Sequence, residues 1–296
     1  MGLDEFINQL PEDDQSAINY ASLPELSRLT GPEASEFGQL WLEWGSERVI
    51  NIVERMVSLC ETQPDVEFEV IYKQGLNHPN SAVRVASLKG LEESEDRALV
   101  IPLSKILKSD PAPEVRTAAA IPLAHLSMMA ETGKLSMAYR ETLEDTLYGV
   151  LEDEKEIQDV KLKVMEAVSV FAAERLTSHI ELAWASGDLK ARQSSLFAMG
   201  QTSDPRWIEY VIPDLEHDAA SVRYEATMAM GELAEEHHLR VMDAPLDDED
   251  LTVQLAAISA VERIGGDVAK AKLELKLASP EPQAVELVQQ GLQTMT

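Results

Sequence analysis

The sequence predicts an all-α protein, an α-α superhelix built by stacking helical hairpins. Three observations predict it. A short apolar–basic signature recurs at Val83-Arg84, Val115-Arg116, Val160-Lys161, Ala191-Arg192, Val222-Arg223 and Val253-Gln254, with spacings of 32, 45, 31, 31 and 31 residues. Self-similarity at a fixed period of this size marks a solenoid. After each signature, apolar or small residues fall at i+4, i+7 and i+8, as in Val222, Ala226, Ala229 and Met230, which is one face of a helix at 3.6 residues per turn. Ahead of each signature lies a turn with Asn or Asp: Asn77, Asp110, Asp153, Asp188, Asp218 and Asp248. Such a side chain can bond the orphan N–H groups of a helix start.

Residues 1–62 do not carry the period and are expected to form an atypical helical cap. Short helices over 4–10, 13–21 and 24–29 are punctuated by Pro11, Pro24 and Gly31-Pro32. A long helix over 33–61 follows, kinked at Gly45, with Trp41, Trp44, Ile52, Val53 and Met56 on its apolar face. A terminal unit must cover one side of a stack with soluble surface, so capping is the reading for the two tryptophans, with a partner site the alternative.

Residues 63–296 then read as the repeat array, six clear copies and a degenerate seventh at Val285-Glu286. Each copy is helix A, turn, helix B; the A helices are amphipathic runs such as 99–107 and 207–215. The one irregular spacing, Val115 to Val160, carries about 14 extra residues, which the sequence places near 127–142. In an array such an excess becomes a loop or a lengthened helix pair. The small residues at i+4 and i+7 let neighbouring helices approach closely.

The composition limits the functions available. There are 25 basic and 53 acidic residues, a net charge of −28. Nucleic-acid binding needs cations to neutralise phosphate, so no nucleic acid is expected; long-range attraction of a basic protein is. Cys60 is the only cysteine, which excludes an internal disulfide, and its apolar surroundings suggest a buried inert thiol. No apolar run approaches the length of a membrane span, and the N-terminus lacks the basic and apolar regions of a signal peptide. A cytoplasmic protein is expected. Phosphate-loop, dinucleotide, zinc-protease, nucleophile-elbow and Cys-x-x-Cys motifs are all missing from the sequence. His237-His238 beside Glu235 and Glu236 is a poor chelate, because adjacent helical residues diverge by about 100°. The run Asp247-Asp248-Glu249-Asp250 lacks the glycine and closing glutamate of a calcium loop. No cofactor and no metal are expected.

The form Asp-Pro-x-x-x-Val-Arg-x-x-Ala-x-x-Ala-Leu-Gly is most closely approached by Asp110-Pro111-Ala112-Pro113-Glu114-Val115-Arg116 and by the run from Val222-Arg223 to Met230-Gly231. It resembles the HEAT-like repeats of the phycobilisome-lyase type, in the armadillo-like helical superfamily, over residues 65–295. The resemblance implies B helices along the concave side and a ladder of Arg84, Arg116, Arg192 and Arg223, with Lys161 in the same position, pairing with turn acids; Gln254 breaks it. It also brings in enzymes built on such repeats. Deoxyhypusine hydroxylase holds two irons with His-Glu dipeptides, and this chain has none.

On each B helix the positions i+2, i+6 and i+9 lie opposite the core face. They include Ile121, Leu162, Phe197, Tyr224, Met228 and Leu255, apolar where a solvated face should be polar. A contiguous apolar surface rimmed by charge marks an interaction site, unless adjacent B helices bury it. The reading is a non-catalytic scaffold presenting an acidic concave surface to another protein, one that is basic or carries a basic or helical segment. The alternative is an enzyme or enzyme subunit of the bilin-lyase or deoxyhypusine-hydroxylase kind.

Overall fold

A computed structural model of the protein describes residues 2–8, 20–171 and 174–295. These are helices, 3-10 turns and short connections, with no strand among the described residues. The chain divides into two compact units, Met1–Ala167 and Val168–Thr296.

The first unit opens with α1 (Gly2–Asn8), a 3-10 segment (Tyr20–Leu26), α2 (Gly31–Leu40) and α3 (Ser46–Thr62). The expected helix over 13–21 lies almost wholly outside the described residues. The expected kink at Gly45 is a full break: a 3-10 turn (Trp41–Glu43) ends α2, and Gly45, with extended backbone, precedes α3. Trp41 is buried, packs at a tilt against Phe37 and sets its ring edge-on to His78 of the first repeat. Trp44 is half-buried and meets Phe37 edge-on.

The hairpins α4 (Glu69–Gly75)/α5 (Ser81–Lys89) and α6 (Val100–Ser109)/α7 (Pro113–Glu131) follow, then α8 (Met137–Leu151) and α9 (Gln158–Val168). B helices α3, α5 and α7 pack in one row; A helices α2 with α4, and α6 with α8, pack in another. The 14-residue excess takes the form of longer helices. α7 has 19 residues against 14 for the B helix Ala220–Leu233, and α8 has 15 against 10 for α6. Gly133, at φ +76, turns the chain between them.

The second unit repeats the plan with α10 (Thr177–Ala185), α11 (Leu189–Gln201), α12 (Ile208–Val211), α13 (Ala220–Leu233), α14 (Asp243–Leu246), α15 (Leu251–Ile264), α16 (Gly266–Lys276) and α17 (Pro282–Thr294). B helix packs on B helix along α11, α13, α15 and α17.

The stripe i, i+4, i+7, i+8 is buried in the copies from Val115 to Val253. In the last helix, Ala284, Val288 and Gly291 are the buried residues. The seventh copy is therefore Ala284-Val285, one residue earlier than the sequence reading, and it restores the 31-residue spacing.

Expected helix starts shift at several turns: Ala112, not Asp110, precedes α7 and Ala219, not Asp218, precedes α13, neither capping through its side chain. Asn80, not Asn77, caps α5 by accepting from Ala82 N–H at 2.8 Å. Asp250, not Asp248, caps α15 through Thr252 N–H at 2.8 Å. Asp188 does cap α11, accepting from Ala191 N–H at 2.9 Å.

The sequence reading puts i+9 on the solvent side, yet Gly200 and Gly231 are buried. A β-carbon on Gly200 would stand 3.0 Å from the Ala229 Cα, and one on Gly231 3.0 Å from the Ala260 Cα. Backbone meets backbone at these crossings, so the i+9 position belongs to the B–B interface. Gly149 of α8 faces open space. Gly231→Ala and Gly200→Ala should each lower stability by about 1–3 kcal/mol through overpacking. Gly149→Ala should raise it by about 0.5–1 kcal/mol through helix propensity. Urea denaturation of the three variants checks the contrast.

Candidate protein-binding face

The signature arginines lie just past the start of each B helix and reach back over their own turn. Nη1 donates to a carbonyl of that turn or, for Arg192, to one in the last turn of α10, and Nε and Nη2 grip one carboxylate further along the chain. Arg84 donates to the His78 carbonyl at 2.8 Å and to Asp110 at 2.9 and 2.8 Å. Arg116 donates to the Asp110 carbonyl at 2.8 Å and to Glu156 at 2.8 and 2.7 Å. Arg192 donates to the Trp184 carbonyl at 2.7 Å and to Asp214 at 2.7 and 2.8 Å. Arg223 donates to the His217 carbonyl at 2.9 Å and to Asp248 at 2.7 and 2.8 Å. Such fork-on-fork pairing fixes geometry as well as charge. Lys161 is half-buried on α9.

Two of the acids are not the ones in turn register. Glu156 takes the place of Asp153, and Asp214 that of Asp218. At every copy but that of Val160, the side chain five residues before the signature accepts from the backbone N–H two residues on; at Val160 the position is Lys155, which offers no acceptor, and Glu156 beside it receives Arg116. His78, Asp110, Ser186, His217, Asp248 and Ser279 all do so. Histidine holds this position at 78 and at 217, in a turn role. Where the position is Asp, the same carboxylate also receives the preceding arginine. Where it is His217, Arg192 turns instead to Asp214, which Trp184 Nε1 also bonds at 3.0 Å while the guanidinium lies 3.7 Å from the Trp184 ring centre. Gln254 keeps the local half of the clasp, donating to the Asp248 carbonyl, and the next turn offers Ser279 in place of an acid.

The clasp lowers the pKa of two of its carboxylates. Burial pushes Asp248 up, but the Arg223 donors and the Asp250 amide outweigh it and hold the carboxyl below its ordinary range. Arg116 does the same to Glu156, against a smaller effect of burial. His238 Nδ1 accepts from the Glu235 N–H at 3.1 Å, so this ring is part of a helix start. Among the described residues no group of three His, Cys, Asp or Glu is placed to hold a metal. The Cys60 thiol is half-buried and raised by burial.

The six apolar residues assigned to the outer B face separate into three groups. Leu162 is a correction: it is buried at 7% exposure, as is Met165, because α9 buries a second side besides its Val160–Val164 stripe. Leu255 and Met228 are half-buried. Ile121, Phe197 and Tyr224 are exposed, at 37%, 37% and 36%. Ile121 stands in the first unit. In the second, Phe197, Tyr224 and Met228 line one notch of about 170 Å³ between α11 and α13, with Gly200 and Ala229 among its lining residues. Close packing at Gly200 brings the two helices together, and the side chains at 197, 224 and 228 stand around the seam. Glu225, Glu232 and Gln201 complete the lining; Arg263 pairs with Glu232. α11 and α13 are further tied by Gln193 Nε2 donating to Ser221 Oγ at 2.8 Å.

No family model matches the sequence, and no curated protein matches it. Solved structures do. Human deoxyhypusine hydroxylase in complex with glycerol is 15% identical with a TM-score of 0.39, covering 90% of this chain and 96% of that one. An engineered protein is 15% identical with a TM-score of 0.44, covering 99% and 88%. Kap121p bound to Nup53p is 14% identical with a TM-score of 0.45, covering 99% of this chain and 37% of that one. This chain's own coordinates establish its helical repeat fold.

Two outcomes test the clasp. Arg223→Ala should cost about 3–5 kcal/mol, because it strands a buried carboxylate, whereas the double variant Arg223→Met/Asp248→Leu should recover most of that loss in thermal melts. Asp248 and Glu156 have folded pKa values below their unfolded ones. Their contribution is complete above the unfolded carboxylate range and is lost as pH falls through the lowered folded values. Urea midpoints should therefore fall more steeply with acidification in the wild type than in the double variant.

Proposed function

We propose that this chain is a non-catalytic scaffold of HEAT-like repeats, and that the B-helix face of its second unit binds a basic segment of another protein. The observation that carries this reading is the notch at Phe197, Tyr224 and Met228. It is an exposed apolar seam with two glutamates among its lining, on a chain of net charge −28. Aromatic side chains in a recess provide the anchoring contact typical of protein interfaces. Surrounding acids favour a cationic partner and speed its approach. The recess suits an amphipathic helix that places one apolar side chain in the notch and Lys or Arg beside Glu225 and Glu232. The HEAT-like assignment is supported by the Asp-Pro-x-x-x-Val-Arg form at residues 110–116 and by the clasp those arginines make.

The double variant Phe197→Ser/Tyr224→Ser tests the proposal. The two rings are only partly covered, so the stability cost should stay near about 1–2 kcal/mol, below that of fully buried aromatics. Affinity purification from the native host should lose the partner that the wild-type chain retains, and wild-type retention should weaken with added salt. A loss of several kcal/mol would make the rings core residues and overturn the assignment.

A further inference from the structure

The first unit carries a second surface of opposite character on its A layer. The segment 97–109 contains Arg97, Lys105 and Lys108 and no acid, in a chain where acids outnumber bases two to one. The 3-10 turn Arg97–Leu99 runs directly into α6, and the spacing places Arg97, Ile101, Lys105 and Lys108 on one stripe. All four are exposed, Ile101 at 57%. Lys105 and Lys108 make no ion pair among the described residues, whereas Lys73 across the groove is held by Glu69 and Asp96.

Beside this stripe lies a recess of about 530 Å³, within the range of sites that take a side chain or small ligand. Ala98 of the 3-10 turn and Pro102 and Ile106 of α6 form one wall, Leu76 and Leu99 add apolar surface, and Lys105 stands among its lining residues. Two acids also line it, and both are committed: Asp96 to Lys73 at 2.6 Å and Asp110 to Arg84. Glu69 and Asp96 exceed Lys73 by one carboxylate, and the cations outside these pairs, Arg97, Lys105 and Lys108, outnumber that excess, so the recess and its stripe together are positive.

We propose that this recess binds an acidic segment of a protein partner, with an apolar side chain of that segment against Pro102 and Ile106 and its carboxylates along Lys105 and Lys108. The chain's overall negative charge does not forbid this. Screening over about 8 Å at physiological ionic strength leaves the nearest charges in control of a short segment. A peptide is favoured over an anionic membrane because the apolar surface is a recess, and because three cations fall short of the cluster of roughly four to eight that lipid headgroups require.

The test uses the full chain, isotopically labelled for NMR, titrated with a short acetylated peptide of alternating Glu and Leu, and with its Lys–Leu counterpart as control. Amide shifts should move in residues 97–109 and at Leu76 and Asn77 with the acidic peptide and not with the basic one. Lys105→Glu/Lys108→Glu, both at exposed positions and checked for folding by circular dichroism, should weaken binding by about tenfold or more. Ile101→Ser tests the apolar side of the stripe without altering charge and should weaken binding less. Equal affinity in the charge-reversed variant, shifts centred on Phe197 and Tyr224, or no shifts at millimolar peptide would each overturn the proposal. Lysine-dependent cosedimentation with phosphatidylserine vesicles in place of peptide binding would reassign the surface to membranes.

Discussion

A guanidinium that grips two turns at once is the constraint on which the repeat geometry depends. One nitrogen of each signature arginine satisfies a carbonyl of its own A–B turn or, for Arg192, of the helix end just before it, and the other two close on a single carboxylate further along the chain. Two rigid forks meeting face to face leave little freedom in the offset between them. Apolar stripes fix which sides of the helices meet, but a stripe of Ala, Val and Met tolerates sliding. The clasp sets the register, with the buried charges stabilised only when both halves are in place.

The clasp also explains how the repeats vary. Except at Lys155, the residue five before each signature bonds its own turn and, when it is Asp, also serves the preceding arginine. The two ends of the ladder change together: Gln254 faces a turn with Ser279, and where His217 occupies the position, Asp214 supplies the carboxylate from the end of the preceding A segment. An arginine without an acid would leave a charge unpaired in a partly buried site, and an acid without its arginine would do the same.

Close packing of the B helices generates the surface proposed for binding. Gly200 and Gly231 bring backbones into contact, so side chains around the seam have nowhere inward to go. Phe197, Tyr224 and Met228 stand beside a shallow notch for this reason, and their polarity is out of keeping with a solvated helix face. On the A layer, α6 presents a face of opposite charge. The two units thus offer chemically distinct surfaces on one kind of hairpin.

The sequence by itself determined the helical class, the 31-residue cadence and the identity of the core stripe. Each depends on a period or a composition, and both are local properties of the chain. It left open whether Trp41 caps the array, which burial against the first repeat decides. It also placed i+9 on the wrong side, because a single helical wheel cannot show that two stacked neighbours cover a wider arc than one face. Tertiary structure alone decided that Leu162 is buried while Phe197 is not, that Glu156 and Asp214 close the clasp in place of Asp153 and Asp218, and that the last copy begins at Ala284. Those outcomes depend on which atoms the next hairpin brings within hydrogen-bond or van der Waals reach, a distance no linear spacing encodes.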